Sequence, residues 1–153
     1  MAFDFHKQIK VGDIGEELIF NYYPEPLLKY AGNKADFKML KTGELLEVKT
    51  DTYPMDDTLN FFMERWSDVH KEKPGGPWQS RKHRVKRYVY LFVKDGVYFQ
   101  FPDIKHLCKE VDSIVKAKKL RLIYIKNKGW TTAGYLIKRE WLEHIYDEYE
   151  LPK

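Results

Sequence analysis

Residues 35–51 read ADFKMLKTGELLEVKTD, two runs of alternating apolar and polar residues on either side of Thr42-Gly43, and their pairing decides what the chain is built around. Alternation with a period of two marks half-buried strands, and a glycine-containing dipeptide between two such runs predicts a hairpin. With Thr42-Gly43 as a two-residue loop, Lys41 pairs with Glu44 and every pair of residue numbers has the same sum. This sets Asp36 opposite Lys49 and Lys38 opposite Glu47. Leu46 and Val48 then point to one face, while Glu47, Lys49 and Asp36 share the other. A carboxylate on one strand stands beside a carboxylate and an ammonium on the next. Such a group suits a hard cation, because Mg²⁺ takes oxygen ligands octahedrally, keeps several waters and needs only one or two carboxylates. The Val48 backbone carbonyl is a further oxygen at the same place. Lys49 is positioned to orient or deprotonate an attacking water and to offset charge building on a phosphate.

Asp36, a hairpin and then Glu47-Val48-Lys49 resemble the active-site motif of the PD-(D/E)xK nuclease superfamily, whose members hydrolyse nucleic-acid phosphodiesters with a divalent metal. Upstream, Gly12-Asp13-Ile14-Gly15-Glu16 resembles the Gly-x-x-x-Glu of the helix that precedes the motif there. Glu16 is the candidate from that helix, with Glu17 as the alternate because helix phase is not fixed to one residue by sequence. Downstream, NFFMERWSD (60–68) and KPGGPWQSRKHRVKRYVYLFV (73–93) resemble the strand, glycine-containing loop, helix and buried strand of bacterial and phage members. DGVYFQFP and GYLI continue the same order, so the likeness spans roughly residues 10 to 137. One departure is Ala35, which stands where the motif has its proline.

The resemblance implies a restriction-endonuclease-like fold and a Mg²⁺ or Mn²⁺ cofactor held by Asp36, Glu47, Glu16 and the Val48 carbonyl. It also implies DNA as the partner, being closest to recombination, repair and phage nucleases, Holliday-junction resolvases among them. A homodimer is compatible with it and stays open. The alternative is a non-catalytic nucleic-acid-binding module on the same fold, which has no chemical need for an intact Asp36, Glu47 and Lys49.

The remaining sequence reads as one domain over residues 1–153, with no repeat and no linker. A first helix is expected to begin near Gly12 or Asp13, where Asp13 can cap it, with Ile14, Leu18, Ile19 and Tyr22 as its apolar stripe and Pro24 and Pro26 ending it. After the hairpin come a strand over 60–67, a helix over about 78–86, the buried strand YVYLFV and its hairpin partner VYFQF beyond Asp95-Gly96. Pro102 and Asp103 start a helix whose Ile104, Leu107, Cys108, Val111, Ile114 and Val115 keep helical spacing. LRLIYI and GYLI read as strands, and Trp141, Leu142, Ile145, Tyr146 and Tyr149 as the inner stripe of a C-terminal helix. This order predicts an α/β fold, a mixed sheet flanked by helices.

The densest basic segment, SRKHRVKR, holds Arg81, Lys82, Arg84, Lys86 and Arg87. On a continuous helix Arg81, Arg84 and Arg87 share an edge, which beside a nuclease motif suits phosphate binding and otherwise a solvated face. Over the whole chain, 27 Lys and Arg against 23 Asp and Glu give a net charge of +4, too slight to identify a nucleic-acid binder. Glu64 is read equally as support for the metal site or as a solvent-facing group, and Asp51 is a weaker candidate on the hairpin's charged face. Gly75-Gly76 reads as a turn, since no P-loop pattern accompanies it. The five histidines do not cluster at metal-ligand spacing, and Trp66, Trp78 and Trp130 suit core packing more often than base stacking. Cys108 is the only cysteine, which excludes an intrachain disulfide and a cysteine-based metal site and suits a reducing compartment. No signal-peptide core and no apolar run near 20 residues is present, so a soluble cytoplasmic protein with no membrane partner is expected.

Overall fold

The computed structural model describes residues 5–153, with side chains from residue 10 onward, so the His6 side chain lies outside the described residues. Helix α1, Phe5–Tyr22, is followed by strands β1 (Leu27–Lys29), β2 (Phe37–Met39) and β3 (Leu45–Asp51). A 3₁₀ turn leads to β4 (Asn60–Asp68), and the short β5 (Lys73–Pro74) precedes α2 (Gly76–Lys82). Strands β6 (Arg87–Phe92) and β7 (Val97–Phe101) come next, then α3 (Ile104–Lys118), β8 (Ile123–Lys126), β9 (Thr131–Lys138) and β10 (Asp147–Glu150).

The strands form two sheets, ordered β1-β2-β3-β6-β7-β10 and β5-β4-β9-β8. Within the first, β3 and β6 run parallel and the other neighbours antiparallel, so the sheet is mixed as expected. A parallel pair needs a crossover of a dozen or more residues. Here that crossover carries β4, β5 and α2; β4 and β5 begin the second, antiparallel sheet, which β8 and β9 complete later in the chain. Strand β6 is buried on both faces, which is why it reads as an almost unbroken apolar run. Val89 and Leu91 face a core under α1 with Ile19, Tyr23, Phe37, Met39 and Leu46. Tyr88, Tyr90 and Phe92 face a larger core shared with the second sheet and α3. Phe61 of β4 sits at its centre, with the rings of Tyr90, Phe99 and Phe101 edge-on at 4.8, 5.1 and 5.6 Å.

Several elements depart from the sequence reading. Helix α1 is already formed at Phe5, so Asp13 lies inside it and does not cap it. Its inner face is Gly15 and Ile19, continued by Tyr23 just past its end, while Ile14 and Tyr22 are about half exposed at 50% and 49%. A helix that lies close against a sheet presents a small residue where a large apolar one would hold it off, and that moves the stripe. Helix α2 ends at Lys82, and Arg84 takes a left-handed φ of 61°. Arg81, Arg84 and Arg87 therefore do not share one helix edge. The C-terminal helix is replaced by a 3₁₀ turn at Arg139–Leu142 followed by β10. That strand pairs with the edge of β7 and stacks Tyr149 on Tyr98 at 5.1 Å, satisfying backbone groups that an open edge leaves unpaired. Asp103 caps α3 as expected, accepting from the N–H groups of Lys105 and His106. Among the described residues no helix is long and apolar enough to cross a membrane.

Candidate active site

Strands β2 and β3 pair Phe37 with Leu46 and Lys38 with Leu45, two residues away from the register that a Thr42-Gly43 loop gives. The loop has four residues, 40–43, closed by the Gly43 N–H on the Met39 carbonyl at 2.9 Å and the Met39 N–H on the Glu44 carbonyl at 2.8 Å. Asp36 is thus not opposite Lys49; the observed register, continued by one residue, sets it opposite Glu47. A slip of two keeps every side chain on its own face, whereas a slip of one would have turned them all over. The Asp36 N–H donates to the Leu46 carbonyl at 3.2 Å, and its Oδ2 accepts from the Val48 N–H at 2.7 Å. In an extended strand the Val48 carbonyl leaves on the same side as its N–H, toward Asp36.

The third carboxyl comes from α1. Gly15 lies against Thr50 of β3, and a Cβ there would overlap the Thr50 side chain, so only glycine lets the helix approach this far. The next residue, Glu16, then hydrogen bonds with Asp36. Glu17 turns outward into an ion pair with Lys29 at 3.0 Å, so of the two candidates Glu16 is the one that meets Asp36. Gly15→Ala is expected to cost about 1–3 kcal/mol by overpacking. Urea unfolding measures this, and an unchanged midpoint would mean that α1 is free to shift.

The carboxyls of this group crowd one another. Burial, a hydrogen bond that the protonated Glu16 donates to Asp36, and the charges of Asp36, Asp13 and Glu17 push Glu16 up to about 8. Burial, the Asp36 charge and hydrogen bond, and Glu16 push Glu47 up to about 9. At neutral pH Glu16 and Glu47 are therefore held toward their protonated, neutral forms. Nearby positive charge would favour their ionised forms.

Glu47 and Lys49 open into a cleft of about 170 Å³, bounded by Glu64 of β4, Gln79 and Ser80 of α2, and Tyr88 of β6. Tyr88 pairs with Glu47 across the parallel strands, and burial and the charges of Glu47, Glu64 and Asp36 hold its hydroxyl well above the usual phenol range. The Glu64 carboxyl is raised by burial and partly restored by the Lys49 charge and the Gly76 backbone N–H. Gly75-Gly76 is the seat of that carboxyl as well as a turn. A Cβ on Gly75 would overlap the Glu64 carboxylate, and Gly76, at φ 45°, would place one 2.6 Å from the Glu64 carbonyl oxygen. Glu64 is thus not the freely solvent-facing group of the two readings; its carboxyl is largely covered and lines the cleft.

As the side chains stand, no group of three or more His, Cys, Asp or Glu among the described residues is arranged to hold a metal ion. Glu16 and Glu47 are instead hydrogen bonded to Asp36. The donor set is nevertheless all oxygen, with two or three carboxyls and a backbone carbonyl, and its chemistry fits Mg²⁺ or Mn²⁺.

The basic residues separate. Arg81, Lys82 and Arg84 are exposed. Lys86 is tied to Asp103 at 3.3 Å, while Arg87 binds Glu25 at 2.8 Å, Glu44 at 3.2 Å and the Tyr23 hydroxyl at 3.0 Å, joining the end of α1 to the hairpin. Asp51 accepts from the Tyr90 hydroxyl at 2.6 Å and the Tyr53 N–H at 2.8 Å, away from the cleft. Tyr88 was not singled out from sequence, because its place beside Glu47 follows from a parallel pairing that no local pattern encodes. Set against protein families, curated proteins and solved structures, the chain matches none of them, so the chemistry of this cleft is argued from its own residues.

Proposed function

We propose that the protein is a divalent-metal-dependent nuclease that hydrolyses DNA phosphodiester bonds. The observation that carries this reading is the convergence of Glu16, Asp36 and Glu47 from three separate segments, with Glu47 opening beside Lys49 into one cleft. Half-buried acids that repel one another cost stability, so their grouping points to use rather than to packing. Mg²⁺ or Mn²⁺ bound there would polarise the phosphate and make water a better nucleophile.

Asp36 and Glu47 would hold the ion, with Glu16 and the Val48 carbonyl beside them. Lys49 would orient the attacking water and offset charge on the phosphate, and Glu64, whose carboxyl feels the Lys49 charge, lines the same cleft. The exposed Arg81, Lys82 and Arg84 would hold the backbone, so binding should weaken with salt. DNA is preferred over RNA on the resemblance to DNA-processing nucleases. Burial raises the Cys108 thiol to about 12 and keeps it unreactive; the absence of disulfides suits a cytoplasmic setting.

The test is incubation of supercoiled, linear and four-way-junction DNA with Mg²⁺, Mn²⁺ or EDTA, for the wild type and Asp36→Ala. Cleavage is expected with metal only, and not in the variant. Cleavage that survives EDTA or the substitution sinks the proposed site; binding without cleavage of any substrate supports the non-catalytic module.

A further inference from the structure

A second concavity lies on the other side of α2. It is about 580 Å³ in volume, within the range of a small-molecule site, and Arg65, Trp66, Trp78, Arg81, Lys82 and Lys105 line it. The Arg65 guanidinium lies over the Trp66 ring at 4.2 Å and near the Trp78 ring at 5.1 Å, which fixes a planar cation against indoles. Trp78 is buried and its Nε1 donates to Asp112 at 3.3 Å, whereas Trp66 is only partly covered. Arg81, Lys82 and Lys105 are exposed around the groove. Among the described residues none of its four cations is in an ion pair, while Lys86 and Arg87, a few residues on, are both engaged by carboxylates.

We propose that this groove binds unpaired nucleotides of a single-stranded DNA segment, its base stacked on the Trp66 and Arg65 planes and its phosphates held by Arg81, Lys82 and Lys105. The charge complementarity selects a polyanion. The aromatic and guanidinium planes select one whose bases are free, since a duplex keeps its bases stacked on one another. Helix α2 separates the groove from the carboxyl cleft: Gly76, Gln79 and Ser80 face the cleft, and Trp78, Arg81 and Lys82 the groove. A helix with its side chains is about 10–12 Å across, so a strand crossing α2 passes from one to the other. The inference deepens the nuclease reading and rests on it: the substrate becomes DNA with a single-stranded arm.

The experiment measures fluorescence anisotropy of a labelled oligo-dT strand and of a duplex of equal length, in EDTA, across a salt series. Wild-type protein is expected to bind the single strand at least about tenfold more tightly than the duplex. Trp66→Ala is expected to weaken single-strand binding by about tenfold and duplex binding hardly at all. Lys82→Glu with Lys105→Glu, both at exposed positions that do not threaten folding, should weaken single-strand binding and flatten its salt dependence. Equal affinity for the two DNAs, or a charge-reversed double variant that binds like wild type, overturns the proposal. Cleavage of the same strand in Mn²⁺ is scored separately. A protein that cuts but shows no Trp66 or lysine effect loses the groove and keeps the nuclease reading, and one that binds as expected but never cuts does the reverse.

Discussion

Glu47→Gln is expected to lower DNA cleavage by at least about a thousandfold, a barrier increase of about 4 kcal/mol, while making the protein more stable. The loss follows from removing one of two carboxylates that would hold the ion and so position both water and phosphate. The gain follows from the electrostatics. In the unfolded chain Glu47 ionises near 4.5, and in the folded protein burial and the Asp36 charge postpone this to about 9. Between those values the folded state binds the additional proton, so folding is penalised progressively as pH rises through the window and the penalty levels off above it. A glutamine is neutral throughout and keeps a donor for Asp36. The expected gain at pH 8 is about 2 kcal/mol, or about 4–8 °C in Tm for a chain of this length. Calorimetry at pH 5 and pH 8 checks it, with the larger gain at pH 8. A variant that loses stability at pH 8 would show that the Glu47 carboxyl contributes to folding. By the same linkage, wild-type affinity for Mn²⁺ should rise across this pH range, because the acids must release protons to bind.

Lys49→Ala is expected to slow cleavage by about 100- to 10,000-fold with little change in DNA affinity. Lys49 lies within the cleft, lined also by Glu47 and Glu64, and its charge is among the influences on the Glu64 carboxyl. A group that acts on the attacking water and on charge developing at phosphate contributes mainly in the transition state, so its loss appears in the single-turnover rate and not in binding. The measurement is single-turnover cleavage with enzyme in excess, beside an equilibrium binding curve in EDTA. Equal losses in rate and affinity would recast Lys49 as a phosphate-binding residue.

Much of this site was legible in the sequence because its central pattern tolerates the error made in reading it. Taking Thr42-Gly43 as the loop misplaced the register by two, yet the parity of Asp36, Glu47 and Lys49 is unchanged by any even slip. Choosing Glu16 over Glu17 required the depth at which α1 sits on β3, which depends on Gly15 meeting Thr50 and not on either glutamate. The basic run failed for a different reason. Helical spacing assumes a continuous helix, and the left-handed turn at Arg84 sends Arg87 into β6, where Glu25 and Glu44 take its charge. At the C-terminus, Trp141, Leu142, Ile145 and Tyr146 do carry a helical spacing, but the open edge of β7 recruits the following residues as a strand. Local pattern loses there to long-range pairing. The second sheet was hidden in the same way, since a strand's sequence says that it pairs but not with which sheet.

The division into two sheets also gives the cleft a mechanical character. Asp36 and Glu47 ride on the first sheet with Glu16 packed against it, whereas Glu64 belongs to β4 of the second. Sliding one layer over the other would alter the separation of Glu64 from Lys49 before it disturbed the three acids. What opposes that shear is Phe61, three residues from Glu64 on the same strand and wedged edge-on among Tyr90, Phe99 and Phe101. The aromatic core thus works as a detent: it sets the distance across which an ammonium and a carboxylate face each other.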